Sequence, residues 1–324
     1  MRVAFYLPEH HMPGEDRREA WQTGGSLTLE QSGKSASAQS WVYQTWVFLR
    51  RAGVPADLVH EMPRTGIVVT ITGCLPPHFD PPRGLYVAGI MADGLPHPAA
   101  HLHILQNSAH ARTFPGAVFM PHWPQPGLQA REPERGATFE RVCFFGDEAN
   151  LAPELREQQW QDELFCSTGA RLEIRGAERW HDYSDVDAVV AIRDFSGRGH
   201  PHKPATKLYN AWLAGVPLVG GSDAAFRSDG RPGNDYLEAR SPEETLSVLL
   251  RLKQDGALRH RLVKEGTASV RRFTPEAVTQ QWKTLVEEEL PRLASRELNR
   301  PEVMRRLLFH ARRLWCRLDL ARPR

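Results

Sequence analysis

Cysteine is scarce and scattered. Cys74, Cys143, Cys166 and Cys316 show neither C-x-x-C spacing nor histidine partners at zinc-ligand distances, so they read as reduced, mostly buried thiols. Long hydrophobic runs are also missing, since no stretch approaches the roughly 18 to 20 uninterrupted apolar residues that a membrane span requires. The N-terminus, MRVAFYLP, enters an apolar strand at once and lacks a long hydrophobic region and a small-residue cleavage site. No signal peptide is read there, and the chain is expected in the cytoplasm, in bacterial style. A charge excess is absent too: the formal net charge is +2, too weak a field to argue for a nucleic-acid partner. No repeat of roughly 20 to 50 residues and no low-complexity segment stands out.

What is present is ordinary globular composition over 324 residues, enough for roughly two domains with separate cores. Residues 2 to 7 read as a strand, followed by a polar loop through Gly25 and Gly33. Ser35 or Ser37 is placed to cap a helix through Arg51, ended by Gly53 and Pro55. Short strands are expected at Asp57 to His60, Ile67 to Thr72, Leu85 to Met91 and His103 to Gln106. Their alternation with helices or loops suggests a parallel sheet. The segment from Ala117 to Gln129 starts as a strand and becomes too rich in proline for regular structure, which marks a domain boundary.

A second β/α series begins at Arg141 to Gly146. It continues with a helix from about Ala152 to Phe165, strands at Leu172 to Ile174 and Ala188 to Ile192, and a last strand at Asp235 to Glu238. Ser241 with Pro242 and Glu244 forms a capping box for a helix to about Gln254. Further helices are expected from Leu258 to Arg272, and from Pro275 to a stop before Pro291.

The richest stretch is residues 203 to 221, KPATKLYNAWLAGVPLVGG. Pro204 suits a helix start, Gly215 a left-handed C-terminal cap, and Pro217 forbids continuation, so a helix is expected from about Ala205 to Ala214. Lys203 and Lys207 then flank its N-terminus, where unpaired N–H groups and the dipole favour an anion such as a diphosphate. Spacing alone is equally consistent with a solvated basic turn before an amphipathic helix.

Residues 141 to 285 resemble the nucleotide-binding half of GT-B glycosyltransferases. The run from Lys207 to Val219 is similar to the "E-A-M-A-x-G-x-P-V" segment of retaining family-4 enzymes, and strand Tyr236 to Glu238 and the helix after Ser241 add to it. A second likeness, on Ala205, Thr206, Lys207 and Leu208, is to the "T-E-K-L" segment of α-1,3-fucosyltransferases, whose lysine meets the nucleotide diphosphate. The resemblance implies an α/β fold of two Rossmann-like, doubly wound lobes with a donor cleft between them and a C-terminal helical tail. The expected lobes are 1–125 on the acceptor side and 126–290 on the nucleotide-sugar side, followed by a basic amphipathic tail at 291–324. The implied activity is transfer of a sugar, of hexosyl type, from a nucleoside-diphosphate donor to a glycan or lipid-linked acceptor, as in assembly of a cell-surface polysaccharide. Alternatives are a non-catalytic nucleotide-sugar-binding protein and a nucleotide-sugar epimerase.

The departures from the pattern matter. The two family-4 glutamates are replaced by His202 and Asn210, and the arginine after the first strand is missing because Asp147 follows Gly146. Arg193, at the end of a strand, is the natural substitute and is favoured as a diphosphate ligand over the alternative of pairing with Asp194 or another surface acid. The expected diphosphate set is Lys207, Lys203, Arg193 and Thr206. Gly220, Gly221, Ser222, Asn210, Glu238 and His122 are expected along the nucleotide and sugar cleft. Asp93 and Glu9, each following a strand of the first lobe, are the candidate catalytic bases; a strand-end acid equally suits a helix cap. Asp185 and Asp187 precede their strand, unlike a metal-binding D-x-D, and His200 with His202 lacks a third ligand, so no metal and no cofactor beyond the nucleotide-sugar substrate are expected.

Between Arg292 and Arg324 lie ten arginines and three acids. On a helix, Val303, Leu307, Leu308, Ala311, Leu314, Trp315 and Leu318 share one broad face. The first half of that tail suits packing on the first lobe, and its last turns suit an anionic membrane surface, peripheral to the inner membrane.

Overall fold

The computed structural model describes residues 1–22 and 34–320; the loop through Gly25 and Gly33 lies outside them. The chain opens with β1 (Val3–Tyr6), α1 (Glu15–Gln22), α2 (Lys34–Ala38) and α3 (Gln44–Arg51). A π-helical stretch, Gln39–Tyr43, joins α2 to α3, so Ser35 and Ser37 lie inside a helix already under way at Lys34 and do not cap it. Gly53, in the left-handed region at φ 76°, follows the end of α3 as expected. Next come β2 (Ala56–Val59), β3 (Thr65–Ile71), β4 (Gly84–Ile90), β5 (Leu102–Leu105), α4 (Ser108–Thr113) and β6 (Ala117–Phe119). These six strands form one parallel sheet in the order β2-β1-β3-β4-β5-β6. Its central strands read as unbroken apolar runs such as Ile67, Val68 and Val69, all buried, because helices and loops cover both faces.

The second series contains β7 (Arg141–Phe145), α5 (Gln158–Thr168), β8 (Arg171–Arg175), β9 (Ala188–Ala191), α6 (Thr206–Ala214), β10 (Leu218–Gly220), α7 (Ala224–Asp229), β11 (Leu237–Glu238), α8 (Pro242–Gln254) and α9 (Gly256–Ser269). Its parallel sheet has the order β11-β10-β9-β7-β8. Phe144, Leu164, Val190, Val219 and Leu249 share its core. The caps expected at Ser241 and Gly215 hold here for local chemical reasons, and Asp255 adds one that the sequence reading did not mark. Ser241 Oγ accepts from Glu244 N at 3.1 Å, Asp255 Oδ1 accepts from Leu258 N at 2.8 Å, and Gly215 closes α6 in the left-handed region.

The chain ends with α10 (Pro275–Thr284), α11 (Leu290–Leu298) and α12 (Glu302–Leu320). Pro291 does not stop the helix before it. The preceding turn, Leu285–Glu289, is π-helical, and the N–H of Leu290 bonds Leu285 O. Pro291 thus occupies the first turn of a new α-helix, where a proline needs no N–H partner.

Contacts divide the chain into two compact units, Met1–His122 with Pro275–Arg324, and Trp123–Thr274. The break after His122 falls within the proline-rich segment expected to hold a boundary at 125/126. The helix from Pro275 groups with the first unit because Val278 and Trp282 are buried there, the Trp282 ring lying 6.3 Å from Phe5 of β1. Helix α12 carries its packed and exposed faces side by side along its length, and not one after the other along the chain. Leu308, Phe309 and Trp315 turn inward with Cys316, whereas Val303, Leu307 and Leu314 remain exposed.

Candidate functional site

Both sheets are doubly wound, and the second has its order reversal between β7 and β9, the kind of point beyond whose carboxyl strand ends open α/β sheets bind ligands. Lys207, in the first turn of α6, reaches that point. Its Nζ lies 5.1 Å from the centroid of the Phe144 ring in β7, and a Cβ added to Gly146, the residue after β7, would sit 3.5 Å from it. No side chain caps the N-terminus of α6, and its first turn holds no acid. Thr206 Oγ1 is buried there without a hydrogen-bond partner. A buried hydroxyl in that state favours an incoming acceptor.

Arg193 follows β9. Its Nε donates to Asp223 Oδ1 at 3.3 Å and its Nη1 to Asn150 Oδ1 at 3.3 Å, so the pairing with an acid that sequence left open is present, with Asp223 as the acid. Burial pushes the Asp223 carboxyl up, against the opposing pull of Arg193, His200 and Lys207. One buried carboxylate thus feels all three groups, which gathers the ends of β7, β9 and β10 and the start of α6 into a single basic cluster. Lys203 closes the turn into it, its N–H bonding His200 O at 2.9 Å. His200 adopts a positive φ of 43° and its Nε2 lies 3.1 Å from Asp194 Oδ2.

The remaining residues expected along the donor cleft are placed as follows. Gly220 is the last residue of β10, and a Cβ on it would come within 2.9 Å of the Phe226 ring, so close packing accounts for the glycine. Gly221 N donates to Ala191 O at 3.1 Å, and half-buried Ser222 leads into Asp223. Asn210 is buried, and its Oδ1 accepts from Gln125 N at 2.9 Å, which ties α6 to the chain entering this unit. Glu238 is bound by Arg227, at 2.7 and 2.6 Å, and by Arg240, at 2.9 Å; the Arg227 guanidinium holds its carboxyl below the usual range. His122 belongs to the first unit, where Trp41 meets it edge-on at 4.5 Å.

Asp185 and Asp187 are engaged by arginines. Asp187 accepts from Arg131 Nη2 at 2.9 Å, Arg135 Nε at 3.0 Å and Nη2 at 2.7 Å, and the N–H groups of Glu140 and Arg141 at 2.9 and 3.0 Å. Asp185 binds Arg141 and the buried Arg175. Among the described residues no group of three or more His, Cys, Asp or Glu side chains is placed to hold a metal ion.

The two candidate bases lie beyond carboxyl ends of strands in the first unit. Glu9 starts a 3-10 turn after β1, is exposed, and has Oε2 3.6 Å from His60 Nδ1. Asp93 is exposed in the turn after β4. Ala92 before it has φ 48°, and Gly94 N bonds Met91 O at 2.8 Å. Among the described residues, Ala92 and His200 are the two non-glycines with positive φ, and both stand in strand-end loops that carry candidate site residues. Such strained positions persist where the surroundings enforce them and concentrate at functional sites. Sequence reasoning missed Asp223 and Asn150. Asp223 immediately follows the Gly-Gly-Ser turn, so its position after a buried strand was the available signal.

Solved structures of similar shape are glycosyltransferases. HepE of Anabaena, solved with UDP and glucose, aligns at a TM-score of 0.52 and 11% identity over 89% of this chain and 100% of its own. Sucrose-phosphate synthase from Thermosynechococcus elongatus gives 0.56 and 13% over 90% and 99%. AviGT4, a glycosyltransferase involved in avilamycin A biosynthesis, gives 0.51 and 16% over 91% and 98%. No protein-family model and no curated protein sequence matches the chain. Two parallel, doubly wound sheets aligned over nearly the full length of such enzymes establish the architecture: the chain has the two-lobed GT-B fold.

Proposed function

We propose that this chain is a glycosyltransferase moving a hexosyl group from a nucleoside-diphosphate sugar to a glycan or lipid-linked acceptor, without a divalent metal. The observation that carries the reading is Lys207 at the uncapped start of α6, poised over the end of β7 where the sheet order reverses. In the reaction the bond from the anomeric carbon to the diphosphate breaks and a bond to the acceptor oxygen forms. Negative charge grows on the departing diphosphate while the sugar becomes oxocarbenium-like. A fixed ammonium, a helix N-terminus and a held guanidinium at Arg193 stabilise that charge, and loss of one such donor commonly costs ~10²-fold in rate. Thr206 and Lys203 complete the diphosphate set. The acceptor proton passes to Asp93 or Glu9 if configuration inverts, or to a diphosphate oxygen if it is retained. The engagement of Asp185 and Asp187 by arginines supports independence from metal, since those carboxylates already have their countercharges.

The test is Lys207→Met, which keeps an unbranched side chain at the position beside Phe144 and removes the charge. Thermal-shift screening against UDP-, GDP-, ADP- and CMP-sugars first identifies the donor, because a ligand at 100 times its dissociation constant stabilises by ~2.7 kcal/mol. Calorimetry is then expected to show affinity lowered by roughly 10- to 100-fold in the variant, the worth of a hydrogen bond to a charged group. Transfer should persist in excess chelator. Wild-type affinity in Lys207→Met refutes the assignment, and donor binding without transfer to any acceptor leaves a binding protein.

A further inference from the structure

The outer face of α12 carries a pattern that packing within the first unit leaves unexplained. The helix is held by its inner face: Arg305 Nη1 donates to Arg83 O at 2.7 Å, Arg312 Nε to Pro98 O at 3.3 Å, and Trp315 meets Phe114 at 4.1 Å between ring centroids. On the opposite side Val303, Leu307 and Leu314 are 72%, 59% and 60% exposed. At about 100° per residue these three fall within roughly 40° of one another, in a stripe about 16 Å long. Arg306, His310, Arg313 and Arg317, all exposed, fall along one flank of that stripe. Glu302, an exposed acid beside them, pairs with Arg306 at 2.5 Å. Arg322 and Arg324 follow in the sequence.

We infer that this face of α12 docks on an anionic lipid bilayer, with the leucines and Val303 in the interfacial region and the arginines on phosphate headgroups. Charge complementarity selects the occupant. An apolar stripe with cations along its border matches the layered chemistry of a lipid interface, where a helix lies in the plane with its apolar face buried about 5–10 Å. The inner-face bonds fix the helix so that the stripe is presented without reorganisation. Among the described residues no helix is long and apolar enough to cross a membrane, so the contact is peripheral. The inference rests on α12 alone and stands apart from the transferase reading.

The experiment is flotation of the full chain with vesicles of mixed phosphatidylcholine and phosphatidylglycerol, and with vesicles of phosphatidylcholine alone. Two variants accompany it, L307E/L314E and R306Q/R313Q/R317Q, together with Lys207→Met. The wild type and Lys207→Met are expected to float with the mixed vesicles at physiological salt. They should remain unbound with phosphatidylcholine alone and at about 1 M salt, where the screening length falls to roughly 3 Å. The arginine variant should lose on the order of 100-fold in partitioning, roughly fivefold for each cation, and the leucine variant should not float. Both should melt as the wild type does, because the altered side chains are exposed. Absence of flotation overturns the inference, as does flotation that survives in both variants. Self-association lost in L307E/L314E, without vesicle binding, would make a second copy of the chain the occupant and also overturn it.

Discussion

His101 and His103 should make the first unit acid-sensitive well above the range where carboxylates titrate. His101 Nδ1 accepts the N–H of Val87 at 3.0 Å, and His103 Nε2 accepts that of His97 at 3.1 Å, so each ring must present an unprotonated nitrogen. Burial drives both down to about 3, and the nearby Arg312 opposes a proton on either ring. Both folded values lie below the unfolded one of about 6.5. The stability they carry is therefore complete above that pH and is lost as pH falls toward the folded values. Between about pH 6 and 4 the unfolded chain binds up to two more protons than the folded one, a slope of ~2.7 kcal/mol per pH unit. By about pH 4.5 the loss approaches 5 kcal/mol, comparable with the whole stability of many domains. Urea unfolding followed by circular dichroism across this range reads the slope. His101→Asn keeps an acceptor for Val87 and His103→Gln keeps one for His97, so each should remove about half of the pH dependence while preserving the fold. An unchanged slope in the double variant refutes the reasoning.

Two further outcomes follow from packing and charge in the second unit. Asp187→Asn leaves Arg131 and Arg135 facing a neutral amide at a buried position that now satisfies five donors; a loss of roughly 3–5 kcal/mol in urea unfolding is expected, and a loss under about 1 kcal/mol would show that the network relaxes. Gly266→Ala places a Cβ 2.3 Å from Trp212 Cδ1, and the indole is pinned by its bond to Asp235 O at 2.8 Å. Overpacking of this kind costs about 1–3 kcal/mol, so the melting temperature should fall, and an unchanged one would mean that α6 and α9 separate freely.

The β-strands and α6 were legible because their signals are local. Apolar runs of four to seven residues gave β1, β3 and β4. Pro204 and Gly215 bracket α6, and the glycine adopts the left-handed cap its position demands. What sequence left open was decided at long range. The acid that meets Arg193 is 30 residues away, and the arginines that hold Asp187 are 56 and 52 residues away, distances over which spacing carries no geometric information. Pro291 misled because its helix-breaking rule assumes α-type bonding through the turn before it, and that turn is π-helical. The tail was read as one broad apolar face, but Trp315 meets Phe114 of the first unit and Leu308 is half-buried, while Leu307 and Leu314 stay exposed.

Topology supplies what no motif encodes. The second sheet places β8 on one side of β7 and β9 on the other, so the loops after β7 and β9 leave in opposite directions from adjacent strand ends. Asn150 comes from the first of these loops and Arg193 from the second, and they meet at 3.3 Å across 43 residues of chain. Asp223, arriving from the end of β10, fixes the other edge of the same guanidinium. In the proposed reaction that pairing is an asset, since a cation already oriented by a buried carboxylate and an amide does not have to reorganise as charge develops on the leaving group. Burial raises the Asp223 carboxyl while Arg193, His200 and Lys207 pull it back down. An Arg193 held by an acid is thus compatible with the proposed contact to phosphate, and Lys207 at the start of α6 would supply the second cation of that proposal from a different element.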